Sequence, residues 1–277
     1  MNQILCQGPS VGLSKQLPLR QSSRTQGWRS AACRPQRHNL SARRSHMVRA
    51  EAMDPDNASI LVAGGGGVAL SVTRRLKDMG SWVWMLQRSD SRRQEIEKMM
   101  AIVVRGDALN KDDVQKAFDQ IEEVDAVVST LGGTPGDPTA DSQGNINLIE
   151  AALAKGVKKF VLVTSIGTGD SKDAPPSQVY DVLKPVLLEK EKAEERLKQA
   201  GGQVQWTIIR PGGLKNDSPT GSGVLTADKS ICGAINREDV AELVVKALFS
   251  DKANGKVLSA VDKNQLFGTP KFDVFEL

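Results

Sequence analysis

Ser59-Ile60-Leu61-Val62-Ala63-Gly64-Gly65-Gly66-Gly67-Val68-Ala69-Leu70 is the stretch from which the fold is read. A short apolar run ends in four glycines, and a helix-like stretch follows. The order is strand, glycine turn, helix. Glycines let the backbone turn with positive φ and approach a phosphate, and the helix amides behind them meet its charge. The simplest register, Gly64-x-Gly66-x-x-Ala69, satisfies the dinucleotide fingerprint with its permitted final Ala. A second register, Gly64-x-x-Gly67-x-x-Leu70, puts a bulky residue at the third position. Glycine runs are also common in loops, so the motif takes its weight from its surroundings.

Outward from the turn, the chain alternates strand and helix. A helix is expected from about Val68 to Met79, stopped by Gly80. Trp82-Val83-Trp84-Met85-Leu86-Gln87 reads as a strand, with Trp82 and Trp84 together on one core face. Ala101–Val104, Asp125–Val128 and Phe160–Val163 are further strands. Asn110 is an N-cap for a helix through about Ile121, and a helix is expected over Asn145–Ala154. Thr134–Ser142 reads as a loop rich in Pro, Gly and Asp. This alternation predicts an α/β, Rossmann-like, doubly wound parallel sheet with helices on both faces, in a single domain. Ligands of such sheets sit beyond the carboxyl ends of the strands. Gly64–Gly67, Arg88, Asp107, Ser129–Gly133 and Thr164–Gly167 all fall at such ends.

Arg88 stands at the end of the second strand, about twenty residues beyond the glycines, where an acidic residue would take the ribose hydroxyl of NAD. Arg suits the 2′-phosphate of NADP, because its planar donors are always charged. NADP(H) is therefore the preferred cofactor. Asp90 nearby keeps NAD(H) as the alternative.

The first fifty residues differ in composition. Met1–Ala50 holds eight Arg, one Lys and no acidic residue. That is an organelle transit-peptide composition without a secretory apolar core. Val48-Arg49-Ala50 resembles a chloroplast processing site. The expected organisation is transit peptide 1–50, linker 51–57 and nucleotide-binding domain 58–277. The expected location is the chloroplast stroma, with membrane association through partners as a variant and the mitochondrion as the second choice. Nine of the 37 basic residues and none of the 33 acidic ones fall before residue 51, so residues 51–277 carry a net −5. That balance disfavours a nucleic-acid surface. His38 and His46 lie in the leading segment, as do Cys6 and Cys33. With Cys232 alone left, no disulfide, metal cluster or Cys–His dyad is expected in the domain. No apolar run reaches membrane-spanning length.

With these pieces quoted, the sequence resembles the atypical short-chain dehydrogenases/reductases, and among them the NAD(P)-binding, NmrA-like proteins of plastids. The glycine turn, Arg105-Gly106-Asp107-Ala108, Phe160-Val161-Leu162-Val163-Thr164-Ser165, Thr207-Ile208-Ile209-Arg210-Pro211-Gly212-Gly213-Leu214 and Ile235-Asn236-Arg237-Glu238-Asp239-Val240-Ala241 carry the likeness. The resemblance implies a cofactor site of Gly64, Gly65, Gly66, Gly67, Val68, Arg88, Asp107, Ala108, Thr130, Leu131, Gly132, Thr164 and Lys190. Pro211, Gly212, Gly213 and Leu214 would line its nicotinamide end. Ordinary members reduce carbonyls with a Tyr-x-x-x-Lys pair and a Ser or Thr. Tyr180 and Lys184 have that spacing, and Ser165 lies upstream. The family helix matches better with Lys190 in the Lys place, which puts Val186 in the Tyr place. Tyr180 then lies six residues earlier, about 240° around a helix that Pro185 is expected to interrupt. The catalytic candidates are Lys190, Ser165 and Tyr180, with water or Ser165 as the proton source if Tyr180 is excluded. Leu70 replaces a helix-packing glycine of the family.

Two functions follow as expectations. One is an NADP(H)-dependent oxidoreductase of an unidentified small molecule. The other is a non-catalytic, NADP(H)-responsive regulatory, scaffold or assembly protein with a plastid protein partner. The charge-alternating run Glu189–Lys198 reads as a solvated helix face. Lys271–Leu277 reads as an edge strand or a docking tail.

Overall fold

A computed structural model describes residues 53–268 and 270–277. The expected transit peptide and the start of the linker lie outside the described residues. In chain order the elements are β1 (Ser59–Ala63), α1 (Gly67–Asp78), β2 (Trp82–Gln87), α2 (Arg93–Lys98), β3 (Ile102–Arg105), α3 (Lys111–Asp119), β4 (Ala126–Ser129), α4 (Asn145–Lys155), β5 (Lys159–Val163), α5 (Ser177–Gln199), β6 (Gln205–Pro211), β7 (Gly213–Lys215), β8 (Gly223–Thr226), β9 (Ala234–Asn236), α6 (Arg237–Phe249) and β10 (Lys256–Asp262).

Eight strands form one sheet in the order β3-β2-β1-β4-β5-β6-β10-β8. All neighbours are parallel except β8, which runs antiparallel to β10 at the edge. β7 and β9 pair in a separate parallel ribbon. The doubly wound α/β expectation holds. Buried parallel strands read as continuous apolar runs, because helices cover both faces. Ile60 and Val62 face the core formed with α1 and α6, while Leu61 and Ala63 face the core formed with α3, α4 and α5. The chain reverses between β1 and β4, so the glycine turn opens at the point where the strand order switches.

Local chemistry explains the helix ends. Asn110 accepts a hydrogen bond from the Asp112 amide at 2.9 Å, and so caps α3 as expected. Gly156 closes α4 in the left-handed region at φ 77°.

Several expectations are corrected. Pro185 does not break its helix, because α5 runs unbroken from Ser177 to Gln199. An interior Pro forfeits one backbone hydrogen bond, and the packing of this long helix outweighs that loss. Trp82 is 52% exposed and lies under the Lys77 ammonium, 5.5 Å from the ring, instead of in the core. Trp84 is half-buried. Glu194, inside the supposedly solvated run, is 1% exposed. The loop after β4 contains a π-helical turn, Ala140–Gly144, that leads into α4. The C-terminal segment forms no strand. Its Phe275 amide donates to Leu225 O on the edge strand β8 at 2.7 Å, and Phe275 and Leu277 pack against the core.

Glu194 has a partner. Arg210, at the end of β6, is the largest fully buried side chain among the described residues. Its Nε and Nη2 donate to Glu194 at 3.0 and 2.6 Å, and its Nη1 donates to Asp170 at 2.5 Å. Thr164 Oγ1 donates to Glu194 at 2.7 Å. The network joins α5, β5, β6 and the turn Gly169–Ser171. Removing one partner strands a buried charge. Glu194→Gln should therefore cost about 3 kcal/mol in a urea unfolding series.

Asp170 is the network's exposed end. Burial raises its carboxyl pKa, but hydrogen bonds from Lys229 and Arg210 outweigh that and hold it at about 2. Its folded pKa lies below the ordinary 3.8, so its contribution is complete above that value and is lost as pH falls toward 2. Asp170→Asn should flatten the loss of stability over that acid window, as read by unfolding at successive pH values.

Candidate functional site

The site starts at the turn after β1. Gly64 has φ 126°, a conformation that L side chains rarely adopt. A Cβ there would lie 2.4 Å from Thr130 Oγ1. Two neighbouring strand ends clasp the turn. From β2, the buried Gln87 donates through Nε2 to Gly64 O at 2.7 Å. From the end of β4, the Thr130 amide donates to Ala63 O at 2.9 Å. A Cβ on Gly67 would lie 2.8 Å from Arg237 Cδ, whereas one on Gly66 would meet open space. A Cβ on Gly65 would lie 2.9 Å from Gln87 Oε1, so Gly65 and Gly67 each face a side chain, and the firmest demand, from φ and from the Thr130 backbone together, falls on Gly64. Leu70 is accommodated within the core under α1.

Gly66 is the N-cap of α1 and makes no side-chain cap. The first turn of α1 carries no acidic residue. Its amides, Val68's included, are therefore free for an anion, with the positive end of the helix dipole behind them. The donor set fits a dinucleotide pyrophosphate.

A cleft of about 260 Å³ adjoins the turn. Arg88, Arg92, Asp107, Ala108, Leu131 and Gly132 line it. Arg88 is exposed and enters no ion pair among the described residues. Asp90, the alternative ribose partner, is held by Arg93 at 2.9 Å and by Arg105 at 2.6 Å. Asp107 spends one carboxylate oxygen on the Leu109 amide at 3.0 Å.

Lys190 reaches the loop after β4. Its Nζ lies 2.6 Å from Asp141 Oδ1, an ion pair by distance that lacks aligned hydrogen-bond geometry. Asp141 is fully buried, and its other oxygen accepts from the Gly133 amide at 2.7 Å. Asn145, hydrogen-bonded to Ser129 Oγ at 2.5 Å, donates to Asp141 O at 2.9 Å. This chain of contacts ties Lys190 to the end of β4. Gly132 lies close enough for a Cβ there to sit 3.6 Å from Lys190 Nζ.

Thr164, Ser165, Pro211, Gly212, Gly213 and Leu214 line a second cavity of about 320 Å³. Gly212 permits a backbone approach, since a Cβ there would lie 2.3 Å from Gly233 O. On α5, Val179 and Leu183 face this cavity, and Tyr180 is not in the lining. Lys184 is exposed, and Val186, one turn before Lys190, is buried. The structure thus brings Ser165 together with the 211–214 segment and leaves Tyr180, half-buried on α5, out of that lining.

Three contributors escaped the sequence reading. From sequence, Gln87 reads as a strand end, Asp141 as loop, and Arg237 as a helix start without a role. Arg237 opens α6, lies across Gly67, and donates to Asn216 Oδ1 at 2.6 Å. An acid four residues before Asn145, where a helix was expected, was the available signal for Asp141. Nothing local marks the other two.

The family model described as NAD(P)H-binding matches residues 63–251. The chain belongs to this NAD(P)H-binding family. An uncharacterized chloroplastic protein of Arabidopsis thaliana is 35% identical over 164 residues, 54% of this chain and 58% of that protein. Chloroplastic protein TIC 62 of Arabidopsis thaliana is 29% identical over 183 residues, 63% of this chain and 27% of its own. The chain therefore spans little more than half of the first relative and about a quarter of the second. Among solved structures, a Bacillus halodurans chain assigned as an NAD-dependent epimerase/dehydratase has a TM-score of 0.65 at 28% identity, covering 74% of this chain and 94% of its own. ChuY of Escherichia coli, an anaerobillin reductase, shares the fold with a TM-score of 0.66 at 24% identity, over 74% and 97% of the two chains.

The geometry of this NAD(P)H-binding domain separates its glycines. Gly64→Ala should destabilise the ligand-free fold by about 1–3 kcal/mol through backbone strain and the Thr130 contact. Gly66→Ala should cost less than about 1 kcal/mol as a poorer N-cap. Chemical unfolding of both variants without nucleotide checks the order.

Proposed function

We propose that the chain is an NADP(H)-dependent oxidoreductase acting on a small molecule in the plastid. One observation carries the cofactor choice. The cleft at the end of β2 presents Arg88 and Arg92, while the carboxylate of Asp90 is taken up by two other arginines. A 2′-phosphate there meets cationic donors, and a bare ribose finds no free acceptor from Asp90. Arg88 takes the 2′-phosphate. The amides of the glycine turn and the first turn of α1 take the pyrophosphate, and Asp107 with Ala108 borders the adenine. Thr130, Leu131 and Gly132 bed the dinucleotide along β4.

Bound, the dinucleotide supplies or accepts a hydride. Pro211–Leu214 and Thr164 form the wall for its reacting end. Lys190 holds the nearby ribose or the substrate, and the fully buried Asp141 keeps its ammonium oriented. Val186 fills the place of the family's proton-donating Tyr. The Ser165 hydroxyl, or water reaching it, then handles the proton. Ser165 Oγ now donates to Ile166 O at 3.0 Å and would swing to the substrate. Plastid placement draws support from the chloroplastic relatives and from the acid-free first fifty residues.

Thermal unfolding with separate titrations of NADPH, NADP and NADH tests the reading. NADPH should raise the midpoint saturably and more than NADH does. Arg88→Ala removes a charged hydrogen bond, so NADPH affinity should fall by about tenfold or more while NADH affinity holds. Equal shifts by NADPH and NADH in both proteins would discard NADP preference. No shift with any of them would discard the cofactor assignment.

A further inference from the structure

The two cavities at the strand ends differ in chemistry. The cleft beside the glycine turn carries Arg88, Arg92 and Asp107. The cavity beside Pro211–Leu214 has no Lys, Arg, His, Asp or Glu in its lining. Its walls are Ile166, Pro175, Val179, Leu183, Leu214 and Phe267. Thr164 and Ser165 bring its only side-chain hydroxyls, and each already donates, to Glu194 and to Ile166 O. The Cys232 thiol also borders it, and burial pushes its pKa up, so it is neutral.

The cations on the elements that build the cavity do not serve it. Lys190 is paired with Asp141, and Arg210 with Glu194 and Asp170. Lys184 and Lys215 are exposed and outside the lining. An anion entering here would lose its hydration without gaining a donor, which is costly.

The mouth is apolar as well. Val179, Val182, Leu214 and Phe267 are between 41% and 66% exposed. Val179, Val182, Leu183 and Val186 follow at i, i+3, i+4 and i+7 on α5 and so share one helix face. The first two turns of that face stay open to solvent, although its last member is buried. Apolar surface left open around a cavity marks a binding site.

We infer that this cavity takes an uncharged, apolar small molecule, and not a nucleotide sugar or a sugar phosphate; a ketone is the form of it that the oxidoreductase reading would reduce. As a substrate class this rests on the oxidoreductase reading above. As a ligand class it rests on the lining alone.

Calorimetric titration of the full chain, with and without NADPH, tests it. The probes are 2-acetylnaphthalene, 2-naphthoate (a similar ring system bearing a charge) and UDP-glucose. The ketone should bind at least about tenfold more tightly than 2-naphthoate, and UDP-glucose should not register. Val179→Asp and Leu183→Asp should each weaken the ketone about tenfold or more, leaving the NADPH-induced rise in unfolding midpoint unchanged. Failure of the ketone to bind overturns the inference. So does binding that ignores both substitutions, or binding of either anion as tight as that of the ketone. The expected probe pattern in a protein that NADPH does not stabilise upholds the ligand class and overturns the oxidoreductase reading alone.

Discussion

The pairing of Arg210 with Glu194 fixes the geometry on which the cavity beside Pro211–Leu214 depends. It joins the end of β6 to the middle of α5 inside the protein, where neither charge reaches water. Such a pair adds little net stability over an apolar substitute, but it tolerates no half-measures, since losing one partner leaves a buried charge. Its effect is positional. Glu194 lies one helical turn after Lys190, two after Val186 and a third beyond Leu183, so anchoring Glu194 sets the azimuth of all of them. The same carboxylate accepts from Thr164, which locks the end of β5 into the arrangement. The Pro-Gly-Gly segment after Arg210 is then held opposite the opening turns of α5, and the apolar cavity lies between them.

The site divides its electrostatics along the strand order. At the β2–β3 end, arginines dominate and the Asp90 carboxylate is neutralised, while Asp107 commits one oxygen to the Leu109 amide. At the β1–β4 switch, backbone amides and a helix dipole take over. At the β5–β6 end, every charge is paired or turned away. The proposed dinucleotide, with its phosphorylated end at the arginines and its reacting end at the uncharged cavity, would follow this gradient. Arg237 adds a cation of α6 across the start of α1, bridging the glycine turn to the loop at Asn216.

The sheet was legible because its signals are local. Leu61, Val62, Val127 and Val161 lie in unbroken apolar runs, as strands covered on both faces must. The turn that follows β1 needs glycine at Gly64 for its φ and for the close approach of Thr130. What escaped depended on contacts across the fold. Glu194 sits among alternating charges that look solvated, and only the arrival of Arg210 on another strand makes its burial tolerable. Trp82 looked like core because it alternates with Val83, but it stands near the sheet rim where Lys77 covers it. Pro185 looked like a stop because local propensity cannot register what 23 residues of packed helix outweigh. Asp141 belongs to a turn whose hydrogen bonds run to Gly133 and Asn145, which are separate in the pattern.

The same constraint bears on the tyrosine that the sequence resemblance would place in the site. On α5 the face that bears Lys190 also bears Val186 and Leu183, while Tyr180 falls outside the cavity lining. Rotating α5 to bring Tyr180 inward would pull Glu194 away from Arg210 and Lys190 away from Asp141. Both pairs hold buried or nearly buried ions, and the other contacts of the first pair, Lys198 on Glu194 and Asp170 on Arg210, involve partly exposed groups that do not replace it. The helix is therefore not free to recover the tyrosine by a small turn. Under the oxidoreductase reading proposed above, a proton in this pocket would come from hydroxyls and water at the end of β5, since its walls bring no titratable side chain except the neutral Cys232 thiol.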